Sequence, residues 1–226
     1  MILLVPFSQD PLAAAARRIL DHYQEQLPDL STCQVLVADT QCAAALRAAL
    51  LDECLARGFK ALLGPHIDRL DTWLLRFGKT NKQTLQRPAQ ELILGEALRQ
   101  AEGIYANTDP WLLADQLLVL FEELTLNQVP VPESLDDFER SLQQAYGLPQ
   151  PSAVMQQEAY ILHTLWHAWR DQLEAENFAD PASAHLECLR TSLQKPLDED
   201  LWLIGFTEFS PAEIYWLKSL LIDGRA

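Results

Sequence analysis

Apolar positions in the first third of the chain follow two alternating patterns. Short continuous runs at Ile2 to Val5, Cys33 to Ala38 and Lys60 to Leu63 have the length and composition of buried strands, and stretches of helical spacing begin between them near Pro11 and Thr40. That alternation predicts a parallel sheet with crossover helices. Asp10-Pro11 and Asp39-Thr40 supply N-cap signals where those helices start, and Gly58 supplies a stop for the second.

From Asp68 to Gln194 the pattern predicts helices only, including "DRLDTWLLRF", "AQELILGEALRQAEG", "DPWLLADQLLVLFEELTLNQ", "SLDDFERSLQQAYG" and "SAVMQQEAYILHTLWHAWRDQLEAEN". In the third of these Leu112, Leu113, Leu117, Leu120, Phe121 and Leu124 recur at three- and four-residue spacing, the mark of an amphipathic face. Short proline-containing joints, "NTDP", "VPVPES" and "LPQPS", separate the helices. The tail returns to strand at "LWLIGF" and to helix after Ser210-Pro211. A strand arriving so late is expected beside the early ones, which gives an α/β core of residues 1–67 and 197–226 with a helical subdomain of residues 68–196 inserted into it. Because "DGRA" follows a strand-helix unit that would feed another strand, the chain is expected to be part of a longer protein.

The charge narrows the range of partners. With 32 acidic against 17 basic residues the 226-residue chain carries −15, which opposes binding of a polyanion over most of its surface. The four cysteines form no C-x-x-C pair, as expected of a reduced, cytoplasmic protein, and no apolar run approaches membrane-spanning length.

Candidate chemistry is sparse. The turn Phe7-Ser8-Gln9-Asp10-Pro11 stands where a nucleotide-binding fold places its phosphate loop, yet it has no glycine or lysine. Gly78-Lys79-Thr80 ends like a Walker A loop, but Trp73 occupies the position of the first glycine and a helix precedes the motif. Arg76, Lys79, Lys82 and Arg87 form a basic cluster able to meet DNA phosphate or an acidic partner, with Trp73 nearby as a stacking candidate or a packing residue. His163 and His167 have the spacing of a helical zinc pair, but Thr164 replaces the glutamate of H-E-x-x-H and no third ligand follows; burial at a helix contact is the simpler reading. Asp198, Glu199 and Asp200 precede the last strand; Ile204 and Gly205 stand where a Walker B carboxylate would end it, and Glu208 beyond them is read as a substitute or as plain surface charge. No catalytic residue, cofactor site or metal site is assigned.

Taken in order, "ILLVPF", "CQVLVADTQCAAALRAALL", "ALLGPHIDRLDTWL", "LADQLLVLFEELTLNQV" and "WRDQLEAENFADPASA" resemble the N-terminal part of AddB-type proteins and their DNA repair relatives in the PD-(D/E)XK nuclease family. The most specific likeness is "LWLIGFTEFSPAEIYWLKSLL", carrying Gly205, Phe206, Thr207, Phe209, Ser210, Pro211 and Glu213. His66 departs from the usual arginine, and Ala38-Asp39 from the usual Pro-Asn. The resemblance implies an α/β fold with the parallel sheet of a degenerate superfamily 1 helicase (P-loop NTPase-like) domain and a large helical insertion. It further implies a non-catalytic scaffold that packs against a helicase motor subunit in double-strand break processing and meets DNA through the full-length assembly. The alternatives are a stand-alone acidic helical module for a basic partner and a nucleotide-binding enzyme with a degenerate loop.

Overall fold

The computed structural model describes residues 5–6, 8–77, 82–100, 109–148, 150, 152–194 and 200–222. They form an α/β protein with a small parallel sheet and a large majority of helix. Two compact units divide the chain, one comprising Met1–Lys79 with Glu187–Ala226 and the other Thr80–Leu186, where the sequence pattern set the divisions at 67/68 and 196/197.

The α/β unit is organised around β1 (Gln34–Val37), all four residues of which are buried. β2 (His66–Arg69) and β5 (Leu201–Ile204) pair with it on either side, both parallel, in the order β2-β1-β5. Val35 is opposite Ile67 on one flank and Trp202 on the other, so the late strand does lie beside the early ones. Helices α1 (Pro11–His22) and α2 (Thr40–Ala56) cover one face, where Ile19, Leu20, Leu46 and Leu50 pack with Val35 and Val37. Gly58 adopts φ +90° directly after α2, a conformation that disfavours a side chain and stops the helix.

The strand expected at Lys60 to Leu63 is not one. Leu63 makes a single parallel bridge with Asp29, and the strand forms only after Gly64-Pro65, where the His66 amide donates to the Cys33 carbonyl at 3.0 Å. The reason is visible in β2 itself: it is an edge strand whose only buried residue is Ile67, so "HIDR" gives no apolar run to read. The all-helical expectation from Asp68 fails for the same reason. Strand β2 continues to Arg69, and the helix after it, α3 (Leu70–Leu74), has only five residues. The first strand expected, Ile2 to Val5, lies outside the described residues except for Val5.

Helix α9 (Pro211–Ile222) begins in a reciprocal cap, with the Glu213 amide donating to Ser210 Oγ at 3.3 Å and the Ser210 amide to Glu213 Oε2 at 2.8 Å. Trp216 of this helix is 1% exposed; its ring lies 6.0 Å from that of Trp73, and its indole N–H donates to Ser192 Oγ at 2.9 Å.

The other unit contains α4 (Arg87–Gln100), α5 (Pro110–Leu126), α6 (Leu135–Ala145) and α7 (Ala153–Ala175), and the first part of α8 (Pro181–Ser192). It also holds two strands of two residues each, β3 (Gln83–Thr84) and β4 (Phe178–Ala179), paired in parallel. Leu94, Leu98, Leu117, Phe121, Trp169 and Leu173 form its core. Gly95 is required where α4 meets α5, because a Cβ there would lie 2.3 Å from the Trp111 ring.

Candidate functional site

In an α/β fold, anions are held where strand loops open into helices, because the first turn presents unpaired backbone N–H groups and the positive end of the helix dipole. In this chain both early helix starts are already filled by aspartate. Asp10 Oδ1 accepts from the Leu12 amide at 2.8 Å and from the Ala13 amide at 3.3 Å, and Pro11 has no N–H to offer. Asp39 Oδ1 accepts from the Cys42 amide at 2.6 Å at the start of α2. A phosphate at either position would have to displace a covalently tethered carboxylate or sit beside its charge.

The end of β5 adds close packing. Gly205 has φ +81°, and a Cβ on it would lie 2.8 Å from Cys42 Sγ, so β5 can end against the first turn of α2 only through glycine. Burial, helped by the Asp39 charge, pushes the Cys42 thiol above its ordinary value. Glu208 is exposed, and Asp198 and Glu199 lie outside the described residues. Asp200 accepts hydrogen bonds at the other end of the strand, from His22 Nε2 at 3.0 Å and from the Tyr23 hydroxyl at 3.4 Å. Burial raises the Tyr23 hydroxyl well above the tyrosine range.

The described members of the basic cluster are distributed over both units and paired with carboxylates. Arg76, in the α/β unit, bonds Asp68 Oδ2 at 2.5 Å and Gln34 Oε1 at 3.2 Å, while Gln34 Nε2 donates to Asp68 Oδ2 at 3.1 Å and to the His66 carbonyl at 3.2 Å. With Gln34 only 1% exposed, this is a closed polar network across β1 and β2. Lys82 and Arg87 belong to the helical unit. Lys82 pairs with Glu174 and holds that carboxyl below the usual range. Arg87 reaches Glu91 at 3.0 Å and Asp115 at 2.5 Å. Partial burial works against its charge, but these hydrogen bonds outweigh that and raise its pKa. Phosphate would have to displace a carboxylate at each of these three cations. Trp73 is 3% exposed, packed on Phe77 at 4.4 Å between ring centres, and offers no free face for a base. Gly78, Lys79 and Thr80 lie outside the described residues.

His163 and His167 converge on one acceptor. Their Nε2 atoms lie 2.9 and 3.1 Å from the Pro132 carbonyl oxygen, so each donates Nε2–H and together they fasten the "VPVPES" joint to α7. Among the described residues no group of three metal-ligating side chains occurs, and no helix is long and apolar enough to cross a membrane.

No family model matches the chain, and no curated protein matches it. Sequence reading missed the partnership of Gln34 with Asp68 and Arg76, since a glutamine opening a strand has no motif. It also missed two adjoining cavities beside α7, which arise from segments far apart in sequence; the only signal was the pair Trp166 and Trp169.

Proposed function

We propose that this chain is a non-catalytic, helicase-like scaffold domain of a nuclease-family DNA repair protein, derived from a P-loop NTPase-like core whose nucleotide chemistry has been lost. In this reading it packs against a motor subunit during double-strand break processing and helps to shape a DNA channel. The observation that carries it is the α1 start, where Asp10 takes the Leu12 and Ala13 amides that a phosphate would need. Three features support it further: the parallel β2-β1-β5 order that joins the two ends of the chain, the helical unit placed between them in sequence, and the "GFTEFSPAE" segment that runs from β5 into the α9 cap.

The mechanism that follows is architectural. The sheet supplies rigidity, Gly205 lets β5 close on α2, and the neutralised arginines hold the frame instead of gripping a polyanion. DNA is then held by the assembly around this domain, in keeping with the −15 charge.

Isolation of the native complex from its source cells, with composition read by mass spectrometry, tests the proposal. A superfamily 1 motor polypeptide in stable association, with nuclease activity on DNA ends, is the expected result. A complex holding neither a motor nor nuclease activity contradicts it.

A further inference from the structure

The helical unit contains a cavity of about 360 Å³ among α4, α5, α7 and the start of α8, walled by Leu118, Val119, Phe121 and Trp166. A more open one of about 430 Å³, bordered by Glu133, His167 and Asp171, adjoins it, and Trp166 and Arg170 belong to both. The first volume is of a size that encloses a small ligand or a single large side chain, not a whole apolar helix face.

The charges around this groove are unequal in their availability. Arg170 is anchored by Asp180 at 3.1 Å and Ser183 Oγ at 2.9 Å, and Arg87 by Glu91 and Asp115, so both wall guanidinium groups are engaged within the chain. Glu122 on the rim of the first cavity and Asp171 on that of the second have no ion pair or hydrogen bond among the described residues. Glu133, its side chain 98% exposed, has among the described residues only His167 Nδ1, at 3.9 Å. An apolar, aromatic trough with an anionic rim disfavours an anion and suits a group with an apolar stem and a cationic head. Arg170 itself sets the precedent, with its guanidinium carbon 5.8 Å from the centre of the Trp166 ring.

We infer that this groove is a docking site for a basic segment of a partner polypeptide. The methylene stem of a lysine or arginine lies along Val119, Phe121 and Trp166, and its head reaches Glu122, with a second cation facing Asp171 and Glu133. The net charge of −15 steers such a partner toward the molecule. The inference is independent of the scaffold reading, because a basic partner requires neither a motor nor DNA.

Calorimetric titration of the intact chain with a blocked hexapeptide alternating leucine and arginine tests it, with the glutamate-for-arginine peptide and spermidine as comparison ligands. Saturable binding of the basic peptide alone is expected. It should weaken about fivefold in the Glu122→Gln, Asp171→Asn double variant, as loss of rim charge pairs implies. It should weaken about tenfold or more in Val119→Trp, which fills the cavity. The double variant changes only groups without partners among the described residues and remains decisive should the tryptophan disturb folding. Failure of the basic peptide to bind at millimolar concentration, equal binding by the double variant, equal binding of the acidic peptide, or spermidine binding as tightly as the peptide would each overturn the inference.

Discussion

In the α/β unit, Gln34, Asp68 and Arg76 direct their polar atoms at one another, Asp200 receives His22 and Tyr23, and Ser192 receives Trp216. Beside α7 in the helical unit, Glu122 and Asp171 direct theirs at no described partner, and cavities separate the helices. Buried polar groups stabilise a fold when every member is satisfied; Gln34 and Trp216 meet that condition in the first unit, where among the described residues the Trp202 indole N–H is buried without an acceptor. Unsatisfied charge at the edge of an apolar hollow contributes nothing to folding and remains available to a ligand. On the proposals made above, the sheet serves as architecture and the helices beside α7 as the recognition surface.

The largest expected effect is at Gly95. In an ordinary helix interior, Gly→Ala is stabilising by up to about 1 kcal/mol. Here the new Cβ meets the Trp111 ring at 2.3 Å, so Gly95→Ala should instead lower stability, by up to about 3 kcal/mol as for other overpacked contacts. Denaturant unfolding reads this, and hydrogen exchange should rise in α4 and α5. In a Trp111→Ala background the penalty should largely vanish, giving a coupling energy that separates the steric cause from a general loss of helix.

Next comes the polar network. Gln34→Ala removes a buried group that bridges β1, β2 and Arg76, and should cost about 2 kcal/mol, the scale for leaving buried partners unsatisfied. Exchange protection in β1 and β2 should fall with it. An unchanged melting curve would show that the network is ornamental and would weaken the contrast with the helical unit.

A smaller effect is expected at the first helix. Asp10→Ala deprives two amides of their acceptor and should cost about 1 kcal/mol, whereas Asp10→Asn, which keeps an acceptor oxygen, should recover most of it. The asparagine variant thus separates the hydrogen bond from the charge.

The smallest effect is a pH response. Tyr23 has its hydroxyl raised by burial above the ordinary value of 10.0, so the folded state holds this proton more tightly than the unfolded chain. Its contribution is complete below 10.0 and is lost as pH climbs beyond it toward the higher folded value. Melting temperature should therefore fall on the alkaline side, and Tyr23→Phe should flatten that fall. The Cys42 and Cys188 thiols, raised by burial from 9.0, add a slope that the phenylalanine variant retains.

Much of this frame is legible in the residue order, for physical reasons that differ by element. β1 is read easily because a central parallel strand is buried on both faces and "VLV" records it, and the aspartate caps at α1 and α2 are read because a backbone N–H needs an acceptor at a predictable place. β2 escapes notice because its edge position leaves room for His66, Asp68 and Arg69. The same limitation applies to the basic cluster: proximity along the chain suggested one patch, but Arg76 and Arg87 lie in different units, Arg76 paired with nearby Asp68 and Arg87 with Asp115, which is remote in sequence. The groove is the least legible feature, since Glu122, Trp166 and Pro181 meet only after folding.

The central claim is that carboxylates tethered at Asp10 and Asp39 occupy the helix starts that would hold a nucleotide's phosphates. Isothermal titration of the intact chain with ATP and Mg²⁺, paired with a thermal melt at millimolar nucleotide, tests it most directly. The account predicts no saturable heat and an unmoved melting temperature, since a ligand that binds the native state must raise it. A saturable isotherm that Asp10→Ala alters would contradict the account.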